Sequence, residues 1–286
     1  MRIAAAPISW GVCEVPNWGY QMSPDRVLTE MAAVGIKATE FGPDGFLPAD
    51  PSAKAAMLAS YGLSAVGGFV PVVLHDPNYD PVPEVDKALD SFVAAGGDVL
   101  VLAANSGLDG YDTRPVLDDT GWQTMFTNLD RLSELARSRG VTPSLHPHVG
   151  TMVEKRDEVI RVMEGSSIPM CLDTGHLLIG GSDPVEMAET YASRIAHVHA
   201  KDVNYQLAAR VQSGELTYQQ AVALGLYVPL GEGEVDFKRI VAALNAVNYD
   251  GWYVMEQDTI LEAEPTDEGP VAAVRESIGH LFLLTF

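Results

Sequence analysis

Cations are scarce in this chain. Its 286 residues hold 18 lysines and arginines against 39 aspartates and glutamates, a formal charge of −21. Binding a polyphosphate backbone depends on clustered Lys and Arg, so nucleic acid is not an expected partner. The field favours a cation site and a small neutral or metal-chelated substrate. Cysteine is scarcer still. Cys13 and Cys171 lie far apart, each beside apolar residues, and read as free thiols of a reducing, cytoplasmic setting. Long apolar runs are also lacking: no segment approaches the ~20 residues of a transmembrane helix, and no membrane partner is expected. The opening MRIAAAPISW has one Arg, a short apolar run broken by Pro7 and no polar cleavage region, so no signal peptide is expected. No GxGxxG follows the first apolar run, which disfavours an open dinucleotide-binding sheet.

What is present is the composition of a soluble globular protein with a large core, 47% hydrophobic and 20% charged. The length suits two ordinary domains or one α/β barrel of roughly 250 residues. Short apolar runs alternate with longer amphipathic stretches, the pattern of βα units around a parallel sheet. The expected strands are Arg2–Ile8, Lys37–Phe41, Leu63–Val70, Asp98–Ala103, Val141–His146, Ile168–Asp173, Ile195–His199 and Gly251–Glu256. Ser23-Pro24, Asp50-Pro51 and Asp183-Pro184 each set a capping side chain before a proline suited to a first helical turn. The run Asp119–Arg139 carries Trp122, Met125, Phe126, Leu129, Leu132 and Leu135 at helical spacing and reads as a core-facing helix. Eight repeats without a linker predict a single (β/α)8 TIM barrel spanning residues 1–286. Val203–Asp236 exceeds the repeat, and extra length after a barrel strand falls on the catalytic face, so a lid or pocket wall is expected there. Within it, Gly231 and Gly233 read as a tight turn before a helix near Phe237, since Glu232, Glu234 and Asp236 would repel a phosphate. The apolar C-terminal helix, Val271–Phe286, is expected to pack on the barrel or on a second subunit of a homo-oligomer.

Barrel chemistry gathers at the C-terminal ends of strands. The last four ends read SLHPH, CLDTGH, HVHAKD and YVMEQD, and they hold five of the seven histidines. In SLHPHVG, residues i and i+2 of a strand share a face, which aims His146 and His148 into one space. One inward residue per strand end gives His146, Asp173, His199 and Glu256, two imidazoles and two carboxylates. Such a set suits one divalent ion, Mn²⁺ or Co²⁺ foremost, with Zn²⁺, Fe²⁺ and Mg²⁺ also open. Each residue alone has a plainer reading. Asp173 could cap a short helix at Thr174–His176, Glu256 could be a rim carboxylate, His197 a buried polar group, and Lys201 a salt-bridge partner. The joint pattern on four successive strands carries the metal reading.

The motifs LDTGH, HVHAKD and GWYVMEQD resemble the xylose-isomerase-like superfamily of barrels, which includes sugar isomerases and epimerases, inosose dehydratases and the endonuclease IV type. The resemblance spans nearly the whole chain, and APISWG, FGPDGFLP and LHPHVGT are most similar to the inosose dehydratase branch. It implies His146, Asp173, His199 and Glu256 as metal ligands. His146 stands where the epimerases carry a glutamate, which argues against two-base epimerisation. The endonuclease pattern fails because strand four ends in LAANSG without a histidine. The implied reaction is metal-dependent dehydration of a cyclic polyhydroxy ketone such as 2-keto-myo-inositol through an enediolate. Alternatives are a sugar or inosose isomerase or epimerase, a lyase of 3-keto sugars or keto-glycosides, and a non-catalytic polyol-binding barrel. Glu256 or His148 is the expected base, and His176 or Lys201 the expected acid. Ser9, Trp10, Glu40, Asp202 and Asp258 are the expected contacts of a polyol or keto-sugar substrate.

Overall fold

A computed structural model describes residues 1–108 and 113–285. Its strands are β1 Arg2–Ala5, β2 Ala38–Thr39, β3 Ser64–Ala65, β4 Gly67–Val73, β5 Val99–Asn105, β6 Thr142–Leu145, β7 Met170–Asp173, β8 Ile195–Ala200, β9 Asp202–Val203, β10 Tyr227–Val228 and β11 Trp252–Met255. Nine of them form one sheet in the order β3-β2-β1-β11-β8-β7-β6-β5-β4. Its two edges are consecutive pieces of a single stave, interrupted at Val66. The Val66 amide donates to Thr39 on one side, and its carbonyl accepts from Asp98 and Val99 on the other. The sheet therefore closes through this residue into an eight-staved α/β barrel. Gly67 makes the join: its φ is +149°, and a Cβ there would lie 1.8 Å from the Val99 carbonyl oxygen.

Each expected strand is found, with revised ends. The first stops at Ala5 because Pro7 supplies no amide to the ladder and opens a 3₁₀ turn over Pro7–Trp10. The third continues past Val70 to Val73, and the fifth ends at Leu145, one residue short of His146. Ser23, Asp50 and Asp183 each accept a backbone amide at the head of a helix whose first turn carries the adjacent proline. The long helix, Asp119–Ser138, buries Trp122, Met125, Leu129 and Leu132 against the strands. The C-terminal helix, Val271–Leu283, packs Val274, Ile278 and Leu281 inward and leaves Phe282 and Leu283 exposed. Phe286, the expected end of that helix, lies outside the described residues. The barrel interior is lined by small residues, among them Ala4, Ala38, Val66, Val101, Cys171 and Val254. No helix among the described residues is long and apolar enough to cross a membrane.

Residues 203–236 build two short helices, Tyr205–Gln212 and Tyr218–Ala223, between the antiparallel pair β9 and β10. The Gly231 and Gly233 turn does cradle an anion, and that anion is the protein's own Asp202. The fully buried Asp202 carboxylate accepts from Val203 N and Val235 N at 3.0 Å, Gly231 N at 2.9 Å and Gly233 N at 3.0 Å. The expected contact of Asp202 with substrate is thereby corrected, because its oxygens are spent on the loop. Replacing it leaves those buried donors without an acceptor. Asp202→Ala is expected to lower stability by about 3 kcal/mol or more, read as a melting temperature down by roughly 5–10 °C. An unchanged melting curve would contradict this role.

Candidate active site

The C-terminal ends of the strands open into a cavity of about 790 Å³. Glu40, His146, His148, His199, Lys201, Glu256 and Asp258 line it, with Trp18, Phe69 and Tyr218 supplying aromatic walls. Asp173 ends β7 and divides its carboxylate between two tasks. Oδ1 accepts from Gly175 N at 2.9 Å and His176 N at 2.8 Å, capping the helix Thr174–Ile179. Oδ2 is left to face the cluster. A Cβ at Gly175 would meet the Tyr227 ring at 2.6 Å and Lys201 Cβ at 2.9 Å, so only glycine lets this turn lie against the next strand. Thr174 Oγ1 then locks the two ends together, accepting from Lys201 N at 2.9 Å and donating to Lys201 O at 2.6 Å.

His199 pairs in register with Asp173 on one side and Val254 on the other, which centres its ring at the mouth of the barrel. Its Nδ1 lies 3.3 Å from Glu256 Oε2 and 3.5 Å from Asp173 Oδ2. His146 Nε2 approaches the same Asp173 Oδ2 at 3.0 Å. Lys201 Nζ reaches Asp258 Oδ1 at 2.6 Å, Glu256 Oε2 at 3.0 Å and Asp173 Oδ2 at 3.5 Å. The Tyr218 hydroxyl donates to Asp258 Oδ2 at 2.5 Å and lies 3.0 Å from the Tyr227 hydroxyl.

Three buried carboxylates, Asp173, Glu256 and Asp258, thus crowd around one buried ammonium, Lys201, and a fourth, Glu40, lies against His199. Burial pushes Glu256 up to about 7, against the pull of His199 and Lys201 and with the push of Glu40 and Asp173. Burial also works against ionising Asp173, yet Lys201 and His176 overcome it and hold that carboxyl well below the usual range. Lys201 stays well above its ordinary value, because Asp173, Asp258 and Glu256 outweigh its burial. Burial takes His146 down to about 3 despite Asp173. His199 moves the other way: burial opposes its charge, and its neighbours Cys171, Glu256 and Glu40 prevail. The cluster calls for more positive charge than its side chains carry.

Asp173 Oδ2, His199 Nδ1 and Glu256 Oε2 belong to one group of donors within 4.8 Å of one another, and His146 joins through Asp173. Buried His199 Nδ1 and His146 Nδ1 make no hydrogen bond. A buried nitrogen left unsatisfied costs about 1–3 kcal/mol, and a divalent cation accepted at His199 Nδ1 would remove that cost. The mixed nitrogen and oxygen set fits such an ion.

Several expected site residues sit elsewhere. Ser9 is off the cavity, with Oγ accepting from Gln257 N at 3.0 Å. Trp10 is fully buried, and its Nε1 donates to Glu30 Oε2 at 2.8 Å, so it is packing and not a stacking floor. His176 does not line the cavity. Its ring stacks behind His148 at 3.8 Å between centroids, and its Nε2 lies 3.2 Å from Lys201 Nζ. His146 and His148 are neighbours, 5.2 Å between ring centroids, but on irregular chain beyond β6 with Pro147 between them, not on one strand face. His197 is buried, as a polar group deeper in its strand should be, and its Nε2 meets Glu40 Oε1 at 2.8 Å. The aromatic wall of Trp18, Phe69 and Tyr218 was not anticipated. Only the surplus length of 203–236 pointed toward part of it.

A sequence profile of the xylose isomerase-like TIM barrel family matches residues 28–282, and the chain belongs to that family. An inosose dehydratase of Geobacillus kaustophilus (strain HTA426) is 32% identical over 275 residues, covering 90% of this chain and 87% of the relative. The rhizopine catabolism protein MocC of Rhizobium meliloti is 30% identical over 289 residues, covering 98% and 86%. Among solved structures, the IolI protein with a bound zinc atom superimposes with a TM-score of 0.73 over 100% of this chain and 99% of that one. At 13% identity, this likeness shows the fold alone.

Because Lys201 is the buried ammonium amid these carboxylates, Lys201→Met should cost about 3 kcal/mol or more. In thermal melts of metal-stripped protein the variant should unfold well below wild type, and added Mn²⁺ should raise its melting temperature more than wild type's. Equal melting of the two proteins without metal would contradict the charge account.

Proposed function

We propose that the protein is a metal-dependent hydro-lyase that removes water from a cyclic polyhydroxy ketone, with 2-keto-myo-inositol as the substrate to test first. The observation that carries this reading is the donor group of Asp173, His199 and Glu256 set beside a buried ammonium in a polyol-accommodating cavity. The dehydratase names among curated relatives of similar length support it. His146, Asp173, His199 and Glu256 would hold one divalent ion, with Mn²⁺ or Co²⁺ favoured by the mixed set. Such an ion supplies Lewis-acid polarisation of the ketone and its neighbouring hydroxyl.

The chain's own groups divide the proton transfers. His148 Nδ1 lies 2.7 Å from the Val149 carbonyl, an acceptor only, so that nitrogen carries the ring proton. In the neutral ring Nε2 is then the basic atom, and burial keeps the imidazole neutral. His148 takes the proton α to the ketone. Lys201, charged and fixed by three carboxylates, stabilises the negative oxygen that develops and donates to the departing β-hydroxyl. His176, in contact with Lys201 Nζ, and Asp258 orient that ammonium. Trp18 and Tyr218, the latter from residues 203–236, line the cavity and would face the C–H surfaces of the ring. A small polyol or keto-sugar is the partner in keeping with the dehydratase relatives, and the two free thiols suit a cytoplasmic location.

Mass spectrometry of 2-keto-myo-inositol incubated with metal-stripped protein, then with Mn²⁺ or Co²⁺ restored, tests the reading. Metal-dependent loss of one water is expected. Unchanged mass with a rearranged product would replace dehydration by isomerisation, and absence of any product would remove this substrate. His148→Ala should lower kcat by about 10²–10⁴-fold with metal content unchanged. Full activity in that variant would exclude His148 as the base.

A further inference from the structure

Glu40 was expected at the substrate, yet its carboxylate has another engagement. The residue follows β2, where its amide donates to Ala5 O. Its side chain crosses the barrel interior to β8. There a single oxygen, Oε1, meets His197 Nε2 at 2.8 Å and His199 Nε2 at 3.0 Å. The HVH spacing makes this double contact geometrically natural, because residues two apart on β8 point to the same side of the sheet. All three side chains are almost completely buried.

We infer that Glu40, steadied by His197, is a positioning residue that fixes His199 as the Nε2–H tautomer and thereby presents Nδ1 as a metal-binding lone pair. The inference rests on the metal reading above. An ionised carboxylate can only accept, so both imidazoles must carry hydrogen on Nε2. In a neutral His199 the lone pair then falls on Nδ1, the atom 3.3 Å from Glu256 Oε2 and 3.5 Å from Asp173 Oδ2. His199 Nδ1 makes no hydrogen bond. A ring nitrogen between two carboxylate oxygens is a donor set for a cation. A carboxylate on the far nitrogen of a ligating histidine also raises its donor strength and fixes its ring orientation.

His197 belongs to no donor group with Asp173 or Glu256. Its ring centroid lies 5.1 Å from that of His199, and it acts by holding Oε1 between the two rings. Glu40, His197 and His199 are themselves close enough to be weighed as a second ion site. Their mutual contacts run through Nε2 hydrogens, however, which closes that arrangement to an ion while the site between Asp173 and Glu256 stays open.

The test is Mn²⁺ binding to metal-stripped, full-length protein, read by electron paramagnetic resonance and calorimetry and therefore independent of turnover. Glu40→Gln keeps an oxygen acceptor and removes the charge, and should weaken Mn²⁺ about tenfold. Glu40→Ala removes both and should weaken it about 100-fold. In ¹⁵N spectra of the Zn²⁺-loaded protein, His199 should show the Nε2–H tautomer in wild type and lose that uniform state in Glu40→Ala. Wild-type affinity in a folded Glu40→Gln and Glu40→Ala would overturn the inference while leaving the metal reading standing. Two Mn²⁺ per chain, the second lost with His197→Ala, would overturn it in favour of a second ion site. Failure of wild type to bind any divalent ion would overturn the metal reading and this inference together.

Discussion

Everything at the top of this barrel depends on an imbalance of buried charge. Asp173, Glu256 and Asp258 are held out of water around Lys201, with Glu40 buried behind His199, and the side chains do not neutralise one another. Isolated buried carboxylates are too costly to persist unless they are protonated, hydrogen-bonded or paired with a cation. Each remedy is visible here. Glu256 rises toward neutrality, Asp173 caps a helix with one oxygen, Asp258 takes Lys201 and Tyr218, and Glu40 takes two imidazoles. Among these pairings Asp173 Oδ2, Glu256 Oε2 and His199 Nδ1 converge, with His146 on the Asp173 oxygen and Lys201 on the Glu256 oxygen.

The fold supplies this concentration by bringing strand ends closer than their side chains would choose in water. Gly175 lets the turn after β7 lie on Lys201 and Tyr227, and Thr174 locks that turn to the β8 end. Tyr218 and Tyr227 arrive from residues 203–236, whose own loop is pinned by Asp202. The stability of that surplus segment is therefore linked to the site, since Tyr218 holds Oδ2 of Asp258 while Lys201 holds Oδ1.

The barrel was legible because apolar runs and capped helices alternate with a regular period, and a parallel strand buried on both faces must be such a run. The convergence of His146, Asp173, His199 and Glu256 was legible for a related reason: each falls where an apolar run stops, and barrel topology gathers those points. Direction within a turn was not legible. Ser9 and Trp10 follow β1 as an inward pair would, but Pro7 starts a 3₁₀ turn that sends Trp10 to Glu30. Asp202 adjoins Lys201 in sequence and points away from it, toward amides some thirty residues later that no local pattern announces. Glu40 lines the cavity as expected, but its two histidine partners lie across the barrel, where no local pattern announces them. The aromatic wall comes from loops whose conformation is set by contacts such as Trp18 Nε1 to Thr259 O at 3.0 Å, which are invisible along the chain.

On the metal reading proposed above, the uncompensated charge forms one cation site between β7, β8 and β11. Diffraction from crystals grown with Mn²⁺, recorded at the manganese absorption edge, addresses it directly. A single anomalous peak in contact with Asp173, His199 and Glu256, with His146 beside it, is expected. Absence of a peak, or a peak bound to other residues while these side chains keep their pairings to Lys201, would contradict it.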